Sequence, residues 1–103
     1  MDNTIKEKIV SLLVPELKPK MIILFGSYAA GRQTADSDLD LLVIEESFTS
    51  KMAEKRRIRR MLAGIALPKD ILVATTEEFE FYRQQAGSVF REAFEKGIIV
   101  WSS

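Results

Sequence analysis

The chain has 103 residues, 47% of them hydrophobic and 29% charged, with 15 basic side chains against 15 acidic ones and neither cysteine nor histidine. A chain of this length can bury one core without staples. The two missing residue types exclude disulfide scaffolds, Cys- or His-ligated zinc, thiol redox chemistry, and Ser-His-Asp or Cys-His catalysis within the chain. Any metal is therefore a hard cation held by oxygen, Mg²⁺ before Mn²⁺, and the zero net charge argues against a generally basic nucleic-acid binder.

Thr4 followed by Glu7 reads as a capping box, and Ile5, Ile9, Leu12 and Leu13 recur at helical spacing, predicting a first helix that stops at Pro15. Met21 to Phe25 is a short continuous apolar run, suited to a strand buried on both faces and ended by Gly26-Ser27. Residues 28 to 37 are small and polar, with one helical turn expected at Tyr28-Ala29-Ala30 before Gly31, and strand character returns at Leu39 to Ile44. Ser50 caps a helix predicted over 51–66, with Ile58, Met61, Leu62 and Ile65 on one face and Pro68 closing it. Asp70 to Thr75 is a third strand. Thr75 with Glu78 forms a second capping box, opening a helix with Phe79, Tyr82 and Ala86 on one side. Gly87-Ser88 breaks and recaps it, Phe90 and Phe94 pair at i, i+4, Gly97 reads as a C′ residue, and Ile98 to Trp101 forms the last strand.

This order predicts a single domain over residues 1–103 of α/β (α+β) class, a small mixed sheet of about four strands with helices packed on it. The short link between the first two strands suits antiparallel neighbours, and the helix between the second and third permits a parallel crossover. The apolar runs are far too short to cross a bilayer and the N-terminus lacks a signal-peptide pattern, so a cytoplasmic protein is expected.

The chemistry-bearing residues sit around the second strand. Asp38 and Asp40 are two apart at its start, which puts both carboxylates on one face at roughly 6.5 Å. Two charges at that distance repel by roughly 2.5 kcal/mol at an effective dielectric near 20, a cost a divalent cation between them would reverse. Asp70 opens the next strand, and if the two strands are neighbours it completes three carboxylates, enough for two metal ions in an in-line phosphoryl displacement. Gly26 lets the backbone approach a phosphate, and Ser27 adds a hydroxyl donor. Either element alone is weak. Gly26-Ser27, ten intervening residues and then Asp38-Leu39-Asp40 together arise by composition in about one chain in a thousand of this length.

The stretch GSYAAGRQTADSDLD after a buried strand resembles the GSx10DxD signature of the DNA polymerase β-like nucleotidyltransferase superfamily, and the short chain is similar to its minimal nucleotidyltransferase (MNT) branch. The resemblance extends to Gly31 in the spacer, Ser37 before the first Asp, Asp70 at the third carboxylate position and the closing Glu95 to Trp101. It implies that Gly26 and Ser27 hold the triphosphate of a nucleotide, with ATP favoured. It further implies that Asp38 and Asp40 bind the metals, two Mg²⁺ being expected, and that Asp70 is a third ligand or activates the acceptor. Members of this branch often pair with a helical HEPN-domain toxin, serving as antitoxin by transferring AMP from ATP to a hydroxyl of that partner. The same resemblance leaves room for a non-catalytic antitoxin acting by contact and for a small-molecule acceptor. A homo-oligomer is compatible with so brief a chain, whose acceptor surface must come from another protein or another copy; nucleic acid and membrane partners are not expected.

Further candidates lie outside the signature. Arg32 and Lys69 are near enough in sequence to contact a triphosphate, and Ser37 can touch phosphate or cap its own turn. Lys51, Lys55, Arg56, Arg57, Arg59 and Arg60 form a basic run against Glu54 alone, expected to be a solvated helix face opposite the apolar stripe. Phe79, Tyr82, Phe90, Phe94 and Trp101 are expected in the core.

Overall fold

The computed structural model describes residues 3–34 and 37–103. Asp36 and Ala35 of the spacer lie outside the described residues. Four strands, β1 (Met21–Phe25), β2 (Leu39–Glu45), β3 (Lys69–Thr75) and β4 (Ile98–Ser102), form one sheet in the order β3-β2-β1-β4. β1 pairs antiparallel with β2 and with β4, whereas β2 and β3 run parallel. Among the described residues five helices form: α1 (Asn3–Leu17), α2 (Ser27–Ala30), α3 (Lys51–Met61), α4 (Thr76–Tyr82) and α5 (Val89–Lys96). The parallel pair is joined through α3, as a crossover requires.

The two central strands are apolar on both faces because both are covered. Ile22, Leu24, Leu39, Leu41 and Val43 pack against Ile9 and Leu13 of α1 and Ile58 of α3. On the other face Ile23, Leu42, Ile44 and Ala74 meet Phe79 of α4 and Ala93 of α5. Helix starts follow their capping chemistry: the Ser50 hydroxyl accepts from the Ala53 N–H at 3.2 Å, and Thr75 with Glu78 forms the reciprocal capping box. Ser88 recaps α5 by accepting from the Arg91 N–H at 3.0 Å.

Several boundaries depart from the sequence reading. α1 runs through Pro15 to Leu17 and already includes Asn3, so Thr4 lies in its first turn and not before it. α3 ends at Met61, and Leu62 and Ile65 reach the core from the turn that follows; the helical pattern persisted to Ala66 because a compact turn also returns apolar residues to the same surface. α4 ends at Tyr82, leaving Ala86 exposed beyond it. Tyr82 is 45% exposed and is not a core residue; Phe79 is buried, with Phe90, Phe94 and Trp101 packed at the margins. Gly97 has an extended backbone, not a left-handed one. Its reason for being glycine is proximity, since a Cβ there would fall against the carbonyl oxygens of Ala93 and Leu24 and the Ile23 side chain.

One buried polar feature was not foreseen. Glu45, at the end of β2, and Glu54 of α3 are 6% and 9% exposed, and Glu45 Oε2 has no hydrogen-bond partner. Burial, the hydrogen bond shared with Glu54 and the charge of Glu54 push the Glu45 carboxyl up from 4.5 to about 8, with Arg57 opposing. The folded state therefore keeps Glu45 protonated where the unfolded chain ionises it, so stability is full below pH 4.5 and is lost as pH rises toward about 8. In thermal melts, Glu45→Gln is expected to gain on the wild-type chain through that window and to hold a constant advantage above it; parallel curves for the two proteins would refute the shared-proton arrangement.

Candidate active site

Alternation along β2 sends Asp40 to the same side as Leu42 and Ile44, and alternation along β3 sends Asp70 to the side of Leu72 and Ala74. The parallel register then sets Asp40 directly beside Asp70, while the antiparallel register sets Phe25, the last residue of β1, on its other flank. Asp38 is exposed and immediately precedes β2. The carboxylates thus collect at one end of a sheet face whose middle is covered by α4 and α5.

Gly26 completes the arrangement. Its backbone has φ 74 and ψ −154, a combination essentially reserved for glycine. A Cβ at this position would fall on Oδ2 of Asp40. The chain therefore leaves β1 in direct contact with the Asp40 carboxylate, and Ser27 follows at once as the first residue of α2. Gly26 and Ser27 open onto a cleft of about 360 Å³, lined also by Ala30, Arg32, Val89 and Lys96.

Burial, then the negative charge of Asp70, then that of Asp38, raise the Asp40 carboxyl above its ordinary value. None of the ion pairs among the described residues involves Asp38, Asp40 or Asp70. Among the described residues the repulsion is thus not relieved by an ion pair. As the side chains stand, no group of three or more carboxylates among the described residues is disposed to hold a metal ion. The donor set nonetheless fits a hard cation: Asp40 is flanked by two further carboxylates that oppose its ionisation, and every candidate donor atom is oxygen.

The other candidates divide. Arg32 is on the cleft wall. Ser37 closes its own turn, accepting from the Thr34 N–H at 2.8 Å and lying 3.3 Å from the Thr34 hydroxyl. The Lys69 ammonium donates to the Leu67 carbonyl at 3.0 Å and does not line the cleft. Lys96, which the sequence reading included only within the closing Glu95 to Trp101 stretch, is on the cleft wall 70 residues downstream of Gly26; only the fold brings α5 there. The basic run on α3 is largely exposed, opposite buried Ile58.

Comparison with known proteins bears on this geometry. The family model for the polymerase beta nucleotidyltransferase domain matches residues 7–103. The chain belongs to the polymerase beta nucleotidyltransferase family. Within it, a Methanocaldococcus jannaschii protein provisionally named a protein adenylyltransferase is 37% identical over 60 residues, covering 56% of this chain and 60% of the relative. The chain thus matches less than two thirds of that relative's length. Among solved structures, a toxin–antitoxin complex with AMP-PNP contains a chain with TM-score 0.71 and 23% identity, covering 95% of this nucleotidyltransferase chain and 73% of that one. The complex of tri-AMPylated Shewanella oneidensis HEPN toxin with MNT antitoxin gives TM-score 0.67 and 20% identity, covering 100% and 74%. At these identities the likeness is one of fold.

Two substitutions test the nucleotidyltransferase geometry. Gly26→Ala is expected to cost about 1–3 kcal/mol through its backbone conformation alone and to displace the Asp40 carboxylate, so nucleotide binding by calorimetry should fall more than stability does. Asp70→Asn removes a like charge beside Asp40 and is expected to raise the melting temperature by about 2–4 °C in metal-free, low-salt buffer at pH 8. A lowered midpoint would mean that the two carboxylates do not repel.

Proposed function

We propose that this chain is a Mg²⁺-dependent nucleotidyltransferase that moves AMP from ATP onto a hydroxyl of a protein partner, as the antitoxin of a pair with a helical HEPN-type toxin. The observation that carries the reading is the contact of Gly26 with the Asp40 carboxylate, which joins a phosphate-accepting turn to the Asp38, Asp40 and Asp70 cluster. Support for the acceptor comes from the relatives: one is named for protein adenylyl transfer, and one solved complex contains an AMPylated HEPN toxin.

In this reading Gly26 and Ser27 orient the triphosphate, and Asp38 and Asp40, with Asp70, hold the metal. Bound Mg²⁺ supplies Lewis-acid stabilisation of the charge that develops on the phosphoryl oxygens. The partner's hydroxyl oxygen forms a bond to the α-phosphorus, the α–β anhydride bond breaks, and pyrophosphate leaves. The hydroxyl proton passes to a carboxylate of the cluster, with Asp70, the more exposed member of the Asp40–Asp70 pair, best placed to take it. Positioning and charge stabilisation carry most of the rate, as they do in phosphoryl transfer generally.

Incubation of the chain with labelled ATP, Mg²⁺ and the product of an adjacent reading frame should label the partner protein. The Asp38→Ala, Asp40→Ala double variant is expected to lower labelling by about 100-fold or more. Equal labelling by the variant would dismiss the assignment. A second reading, an antitoxin acting by contact with nucleotide binding vestigial, draws on the absence of a converged three-carboxylate group among the described residues. It requires the double variant to neutralise the toxin as well as the wild-type chain does. A small-molecule acceptor would show itself as turnover without any partner protein.

A further inference from the structure

The cleft that begins at Gly26 and Ser27 leads away from the carboxylates. Neither Asp40 nor Asp70 lines it, yet Gly26 touches Asp40 and also forms one of its walls. If the attacked phosphorus sits at the carboxylates, whatever enters this cleft is a part of the nucleotide that is not attacked. The walls indicate which part. Arg32 comes from the loop after α2 and Lys96 from the last position of α5, so two cations distant in sequence line the same space. The acid on the same wall, Glu92, is 3.9 Å from Lys96, and the two side chains are 68% and 78% exposed. An ion pair so exposed is weak and yields readily to a better anion.

The backbone that carries Lys96 is fixed relative to Gly26. Gly97, its neighbour, is seated against Ile23 and Leu24 of β1 with no room for a Cβ, and its N–H donates to the Ala93 carbonyl at 2.8 Å. β1 is the strand that ends at Gly26. The end of α5 and the phosphate turn therefore share one rigid support. A lysine in the last turn of a helix also complements its dipole and can pair at i, i+4. That role affects helix stability and leaves nucleotide affinity untouched.

We propose that Lys96 is a positioning residue for the nucleotide, receiving the polyphosphate tail with Arg32 across the cleft and exchanging Glu92 for a phosphate oxygen when the nucleotide binds. The inference rests on the nucleotidyltransferase reading and names the residue that holds the leaving pyrophosphate.

Calorimetric titration of the full chain with ATP, AMP and inorganic tripolyphosphate, each with Mg²⁺, tests it. Lys96→Ala is expected to weaken ATP and tripolyphosphate by about tenfold or more and AMP by less than about twofold, with Lys96→Arg restoring most of the loss. Glu92→Gln is expected to tighten ATP by about threefold, because the competing carboxylate is gone. Lys96→Met, which retains helix propensity, serves should the alanine variant melt early. Unchanged ATP affinity in Lys96→Ala and Lys96→Met overturns the inference, as does an equal loss for AMP and ATP, which would put the nucleoside in the cleft. If transfer to the partner persists while binding is independent of Lys96, this inference alone fails. If tripolyphosphate binding depends on Lys96 but no partner is labelled, transfer to a protein fails as the reading while Lys96 stands as a polyphosphate-binding residue. A wild-type chain that binds neither ATP nor tripolyphosphate overturns both.

Discussion

Like charges held together by hydrogen-bond register are the constraint around which this molecule is organised. The β2–β3 ladder fixes Asp40 next to Asp70, and neither can move away without breaking parallel pairing that also buries Ile71 and Val73. The sheet tolerates the repulsion because the apolar residues further along the same strands gain far more by burial, at about 25 cal/mol per Å² of surface removed from water. Among the described residues no ion pair relieves this cluster. What would offset it is positive charge, of the kind a divalent cation supplies.

The distribution of helices follows from the same sheet. α1 and α3 close one face, while α4 and α5 close only part of the other. Phe79 of α4 meets Phe94 of α5 edge-on with ring centroids 5.7 Å apart, and the Arg83 guanidinium lies 5.0 Å from the Phe94 ring centroid. That aromatic packing anchors the two short helices over Leu42 and Ile44, leaving the Asp40 end of the face uncovered. Access to the carboxylates and firmness of the core are thus separated along a single strand.

Strand positions were legible in the sequence because continuous apolar runs such as Met21 to Phe25 have few alternatives in a chain this short, and the Thr75-Glu78 capping box marked its helix start to the residue. The limits of α1 and α3 were not. Pro15 lies inside α1, and the apolar stripe that seemed to prolong α3 is continued by a turn that the stripe cannot distinguish from helix. Gly26, Asp38, Asp40 and Asp70 could be singled out because their spacing is coded locally or across one parallel pair. Lys96 could not, since its relation to Gly26 depends on β4 pairing with β1 and on α5 lying over it. The Glu45–Glu54 pair was equally silent, because an acid at a strand end reads as a solvated charge until the helix that buries it is in place.

Strand β2 also carries two carboxyls with raised proton affinity on its two faces. Asp40 faces the open end of one side, and its ionisation becomes easier to complete as protons become scarcer. Glu45 faces the buried side, and its ionisation near pH 8 works against the packing of α3 on the same strand. A chain without histidine thus carries on one strand two carboxyls that hold their protons more tightly than free ones do, one beside like charges at an open end and one buried beneath a helix.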